Sequence, residues 1–156
     1  MQQTKSLSKM RWMLYLLGCF KIPLVGYVRP KLLALNDDEA VVRIKLCRRT
    51  KNHLKSMYFG ALAVGADISG GIHAFYFAEK HGLKVSFAFK DMHANFLKRA
   101  ESHILFKSLD GALVEEAVLK SKSNGERVNQ PVRVNAFNEQ NEIVAEFVLT
   151  VSVKVR

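Results

Sequence analysis

The chain has only two cysteines in 156 residues, Cys19 in an apolar run and Cys47 beside Arg48 and Arg49, and neither belongs to a CxxC or Cys/His spacing. That scarcity excludes a disulfide scaffold and a zinc-organised fold, and it fits reduced thiols in a cytoplasmic protein. His53, His81, His93 and His103 also fall at no metal-ligand spacing, so neither a metal nor another cofactor is expected. A P-loop, a Gly-x-Ser-x-Gly elbow, internal repeats and low-complexity stretches are all missing. Acidic residues are scarce in one part of the chain only. Residues 1–60 carry twelve Lys/Arg against Asp37, Asp38 and Glu39, whereas residues 61–156 carry twelve against eleven, so the net charge of +10 sits almost wholly in the first part. Such an excess points to an anionic partner. Nucleic acid is not expected, because no zinc finger or RNP-like aromatic motif accompanies the dispersed basic residues.

What is present is an ordinary globular composition, 49% hydrophobic and 24% charged, at the length of one domain able to bury its own core. Met1 to Val28 reads as a helical extension, with a helix over Ser6–Phe20 ended near Lys21 by Pro23. Its nine-residue apolar run, Trp12–Phe20, is too short for a membrane span and lacks the cleavage site of a signal peptide. A membrane-surface contact through this helix is the lesser reading of its basic and apolar residues. From residue 29 to 156 the pattern is that of a single domain. Strands are expected at Leu32–Leu35 and Ala40–Leu46 around the turn Asn36-Asp37-Asp38, at Leu83–Met92, and at Glu101–Lys107 with a start as early as Phe96. A short amphipathic helix fits Ala112–Lys122, stopped by Asn124-Gly125. The last two strands, Arg127–Phe137 and Ile143–Val155, are β-branched and period-two, joined by the polar turn 138–141.

Ser56–Ala78 is the informative segment, 23 residues in which Asp67 is the single ionised side chain. It is too long for a strand or a loop inside a compact domain, so it reads as a helix apolar on all sides. In a bilayer a central Asp would cost about 2.5–3.5 kcal/mol with no partner to offset it. A helix wrapped by protein is the better reading, and the order of elements gives an α+β fold, an antiparallel sheet curled round this helix. Three, four and seven residues from Asp67 lie Val64, Ala63, Gly60, Gly70, Gly71 and Ala74, so space adjoins the carboxylate. Such a group either organises packing by hydrogen bonds or lines a cavity that admits ligand and water. His73 lies about 120° away round the helix and reads as packing.

The stretch Asn52-His53-Leu54-Lys55-Ser56-Met57-Tyr58-Phe59-Gly60, continued to Asp67, resembles the lead-in to the central helix of PaaI-like hotdog-fold acyl-CoA thioesterases. In that motif Asn, Gly-Thr and His-Gly-Gly precede the catalytic Asp or Glu; Asn52, Ser56 in place of Thr, Gly60 and Asp67 align without a gap. Phe96-Leu97-Lys98-Arg99-Ala100 also resembles the segment leading into the next strand. The likeness covers roughly residues 30–155, and the branch with an N-terminal helix is the nearest in kind. Lys55, Tyr58 and Phe59 depart from the family's Gly, His and first Gly. The resemblance implies a hotdog fold, acyl-CoA as substrate, and thioester hydrolysis in a homodimer or dimer of dimers whose site draws on two subunits. Asp67 is then the general base or nucleophile, Asn52 positions water or thioester, and the Phe59 amide polarises the carbonyl. Tyr58, Gly60 and Ser86 would line the substrate, and Lys98 and Arg99 would meet CoA phosphates. The alternative is a non-catalytic acyl-CoA or lipid-binding hotdog protein that has lost the chemistry at Lys55, Tyr58 and Phe59.

Overall fold

Apolar residues alternate along the strand sequences, so one face of each strand must be covered, and the long apolar helix supplies the cover. The computed structural model describes residues 2–156, with side chains from Ser6 onward. Helix α1 (Gln2–Leu16) runs through a π-helical turn (Leu17–Lys21) into α2 (Pro23–Val28). Then follow β1 (Lys31–Leu35), β2 (Ala40–Ile44), α3 (Phe59–Lys80), β3 (Val85–Phe96), β4 (Ile104–Ser108), α4 (Gly111–Asn124), β5 (Val128–Phe137) and β6 (Ile143–Val155). The six strands form one antiparallel sheet in the order β1-β2-β4-β5-β6-β3. This is the hotdog arrangement: a curled sheet with a long central helix, and a helical layer added at the N-terminus.

Helix α3 is long and apolar enough to cross a membrane by length and composition, yet 78% of its most apolar stretch is buried in protein. It lies close to the sheet because small residues stand where the two meet. A side chain at Gly65 would place its Cβ 2.3 Å from the Phe106 ring of β4, and one at Gly71 would come 2.8 Å from Phe87 of β3. The buried core that results runs from Val42 and Ile44 through Phe77, Phe106 and Phe147 to Leu149. Helix α4 closes on a left-handed Gly125 at φ 69°, as Asn124-Gly125 foretold.

One expectation holds and one needs correction. The first helical run ends at Lys21, just before Pro23, as expected, and Pro23 itself opens a second helix. It sits at the first position of α2, where its missing N–H costs nothing, so the chain breaks for one residue at Ile22 and resumes. Phe96 does not begin the fourth strand; it ends β3, whose pairing with β6 continues from Val85↔Val155 to Phe96↔Ala145 past a bulge between Phe89 and Asp91. The strand opening at Glu101 starts instead at Ile104.

Substituting Gly65 by Ala pushes a methyl group into a fully buried ring, and overpacking of that kind costs about 1–3 kcal/mol. Urea unfolding of Gly65→Ala should show a lower midpoint with an unchanged slope; an unchanged midpoint would mean that Phe106 yields freely.

Candidate active site

The lead-in to α3 is a loop tied at both ends. Met57 N–H donates to the Ala100 carbonyl at 2.7 Å and Tyr58 N–H to the Thr50 carbonyl at 2.8 Å. The first bond joins the loop to the segment after β3, so Lys98 and Arg99 are brought to the same end of the helix. Asn52 organises the turn. Its Oδ1 accepts from Leu54 N–H at 2.9 Å and from the Ser56 N–H and hydroxyl at 3.2 Å each, which explains the pairing of an Asn with a Ser four residues on. Lys55, where the related motif has Gly, sits at φ 63°, in the left-handed region that glycine enters without strain.

Tyr58 stands before the first turn of α3 in an extended conformation and makes no side-chain capping bond. The N–H groups of Ala61 and Leu62 turn back to the Tyr58 carbonyl, which leaves those of Phe59 and Gly60 without a protein acceptor among the described residues. Two donors and the positive end of the helix dipole therefore point away from the helix body. The Tyr58 ring lies across Gly60, so closely that a Cβ there would come within 2.5 Å of it. Phe59 packs edge-on to Phe96 at 6.4 Å between ring centroids, and Tyr58, Phe59, Phe96 and Leu97 are all about half exposed. The sequence pointed to the segment of Phe96 without giving that residue a role; here it walls the amide site.

Asp67 lies two turns further along α3, half-buried in the middle of a helix most of which is packed in the core. Burial alone raises its pKa to about 6, with no neighbouring cation or hydrogen bond to oppose the shift. At 1.5 Å per residue it stands about 12 Å from the Phe59 amide along the axis. The two groups are thus two turns apart along one chain. The remaining residues are spread out. Lys98 pairs with Glu142 at 2.7 Å, and Arg99 approaches Glu101 at 3.8 Å. Phe87 faces α3, so the adjacent Ser86 points to the opposite face of the sheet, where its hydroxyl accepts from the Arg127 guanidinium at 3.3 Å. Ser86 also lies about 30 Å along β3 from Phe96. His73 is fully buried with Nε2 3.0 Å from the Asn36 carbonyl, and desolvation lowers its pKa, in line with a packing role.

The site thus gathers Asn52, Tyr58, Phe59, Gly60, Lys98 and Arg99 at one end of the helix, holds Asp67 apart, and leaves Ser86 elsewhere. Fold and helix together define a hotdog-fold domain. The chain belongs to the family described as "Domain of unknown function (DUF4442)", whose model matches residues 10–153. No curated protein matches it significantly. Among solved structures it is similar to a "putative thioesterase" from Shewanella oneidensis (16% identity, TM-score 0.81, covering 97% of this chain and 99% of that one). It is similar also to a protein of unknown function from Chlorobaculum tepidum (8%, TM-score 0.84, 99% and 97%) and to a thioesterase from Haemophilus influenzae (14%, TM-score 0.67, 96% and 90%).

The raised pKa of Asp67 has a consequence for stability. Burial favours the protonated form, so the folded chain keeps this proton up to about pH 6 while the unfolded chain releases it near about pH 4. Stability falls as pH rises through that window and stays lower above it. Asp67→Asn should therefore raise Tm above about pH 6, with the difference vanishing below about pH 4. A wild-type Tm equal to the variant's at neutral pH would show that the carboxylate has a compensating partner.

Proposed function

We propose that this protein is an acyl-CoA thioesterase, with Asp67 acting on water and the amide of Phe59 on the thioester carbonyl. The observation that carries this reading is the pairing of unsatisfied N–H groups at the start of α3 with a desolvated, unpartnered carboxylate two turns later. The similarity to thioesterases of the same fold adds support. The thioester oxygen would accept from Phe59 N–H, with Gly60 N–H beside it, at the positive end of the helix. Asp67 would take a proton from water as the water oxygen bonds to the carbonyl carbon. Collapse of the tetrahedral species breaks the carbon–sulfur bond, and the thiolate leaves with that proton, giving carboxylic acid and free thiol. A raised pKa makes Asp67 a stronger base than a solvated carboxylate while leaving it ionised near neutrality. If Asp67 attacks directly as nucleophile, the carbon–sulfur bond breaks to give thiolate and a mixed anhydride on Asp67, which a single turnover quenched with hydroxylamine will trap as a hydroxamate; general-base hydrolysis forms no such adduct.

The separation of about 12 Å within one chain supports a site built from two copies, the amides from one protomer and Asp67 from the other. β3 supports the same reading. It is a 12-residue edge strand with Met92 and Phe96 about half exposed, the kind of edge that proteins cover by pairing. In such a dimer Asn52, already fixed by the loop, would direct its amide nitrogen to water or thioester. Tyr58 and Phe59 would border the acyl group, and Lys98 and Arg99, held at this end of the helix by the bond from Met57 to Ala100, would meet a CoA phosphate. Ser86 would need a contact that the single chain does not supply.

Proline at the first helical position removes the N–H without disturbing the helix, and the extended Tyr58 before it suits a following proline. Phe59→Pro should therefore lower kcat for thiol release by about 10²–10³ with Tm nearly unchanged, whereas Phe59→Ala keeps the donor and should lower kcat far less, its effect falling on KM. Asp67→Asn should lower it by about 10²–10⁴, and the wild-type rate should climb through about pH 6 on its acid side. Binding of acyl-CoA without thiol release above the Asp67→Asn level would instead establish the non-catalytic binding protein.

A further inference from the structure

The helical layer formed by α1, the π-helical turn and α2 has an inner face that is buried and an outer face that is not. Met10, Leu14, Val25 and Val28 are turned into the core. On the other side Trp12, Tyr15, Phe20, Ile22, Leu24 and Tyr27 are exposed, Phe20 at 79%. Trp12 and Tyr15 stack on one another at 5.5 Å, one turn apart on α1, and Leu24 and Tyr27 hold the same spacing on α2. Six large apolar side chains exposed within sixteen residues are far more than scattered surface hydrophobics, and a patch of this kind marks a binding surface.

Charge narrows the occupant. No Asp or Glu occurs before Asp37, while Arg11, Lys21, Arg29 and Lys31 stand exposed around the apolar side chains. Glu79 of α3 reaches the layer and is taken up by Lys9 at 2.5 Å. A second copy laid on this face would set cation against cation, so self-association is disfavoured. A partner that presents apolar matter beneath a negative surface satisfies both features at once. Between the helices of the layer and the start of β1 lies a half-open cavity of about 660 Å³ that contains none of the proposed catalytic residues. Leu14, Val25 and Leu32 give it apolar walls, and Arg11, Arg29 and Lys31 supply cations. Lipid has that division, with a phosphate at one end and hydrocarbon at the other.

We infer that residues 12–31 dock the protein on an anionic membrane surface. The aromatic and aliphatic side chains enter the headgroup and upper acyl region, and the Lys and Arg side chains meet lipid phosphates. The helices lie on the bilayer without crossing it; the π-helical turn and Ile22 form the tip of the layer, where Phe20 is the most exposed apolar side chain.

Trp12 is the chain's single tryptophan and therefore reports on this surface without labelling. Intact protein is mixed with vesicles of phosphatidylcholine, with and without phosphatidylglycerol, and followed by flotation and by tryptophan emission. Flotation and a blue shift are expected with the anionic vesicles, both weakened by added salt. Phe20→Ser/Leu24→Ser, which alters exposed positions and keeps Trp12, should lower the partition coefficient by about tenfold, and Lys21→Glu by a similar factor. An unshifted emission and no flotation would overturn the inference. So would binding that survives the double substitution at the wild-type level, or a blue-shifted emission that depends on protein concentration without vesicles, which would show a second copy covering the face. Thiol release plays no part in these readouts, so they stand or fall independently of the thioesterase reading.

Discussion

The constraint on which the structure depends is that the apolar helix α3 must be covered on nearly every side. A sheet that curls round it meets this need, and the approach is close because small residues replace bulky ones at the contacts. Where Phe106 and Phe87 press against glycine, the sheet comes nearer to the helix axis than side chains would allow. The same economy creates the site. Asp67 shares a stripe with Gly60 and Ala63 that the sheet leaves partly open, and its carboxylate is neither solvated like a surface acid nor paired like a structural one.

The helix start completes the electrostatic picture. Most helices satisfy some of their first N–H groups with a capping side chain. Here the cap position is Tyr58, which offers none, and the surrounding loop spends its bonds on its own shape. The loop is held so firmly by Asn52, by the link from Met57 to Ala100 and by the left-handed Lys55 that the free amides of Phe59 and Gly60 keep a fixed direction. Preorganised donors are worth more than mobile ones, because no reorientation is needed when charge appears.

Much of this was legible in the residues, and the rest was hidden for reasons that can be named. The length of the apolar run around Asp67 dictated a wrapped helix, and the β-branched alternation of the last two strands dictated their pairing. Asn36-Asp37-Asp38 reads as a turn, and in the fold the Asn36 carboxamide accepts from the Asp38 and Glu39 N–H groups. The end of β3 was obscure because His93 and Asn95 interrupt the apolar run, although in register they form one side of a strand that β6 carries to Phe96. Pro23 reads as a stop because proline usually is one, and only the geometry of the preceding residue shows that it also opens a second helix. For the candidate site, the order Asn52, Phe59, Gly60, Asp67 placed the groups on one helix and the loop before it, but spacing along a chain says nothing about direction. It did not reveal that Ser86 faces away, or that the cations at Lys98 and Arg99 already have acidic neighbours.

The two edges of the sheet are not equivalent. At β1 the register slips between Leu32 and Ala34, and the Arg11 guanidinium binds the carbonyls of Leu32 at 2.8 Å and Leu33 at 3.2 Å. Those oxygens are no longer offered to a passing strand, and the bulge spoils the flatness that a passing strand would need. At β3 the edge is long, and no such side-chain plug covers its backbone among the described residues. A sheet blocked at one end and open at the other can gain one neighbour by its open end and then has nothing left to extend. Strand addition could therefore proceed at one edge only, and Arg11 is what withdraws the other.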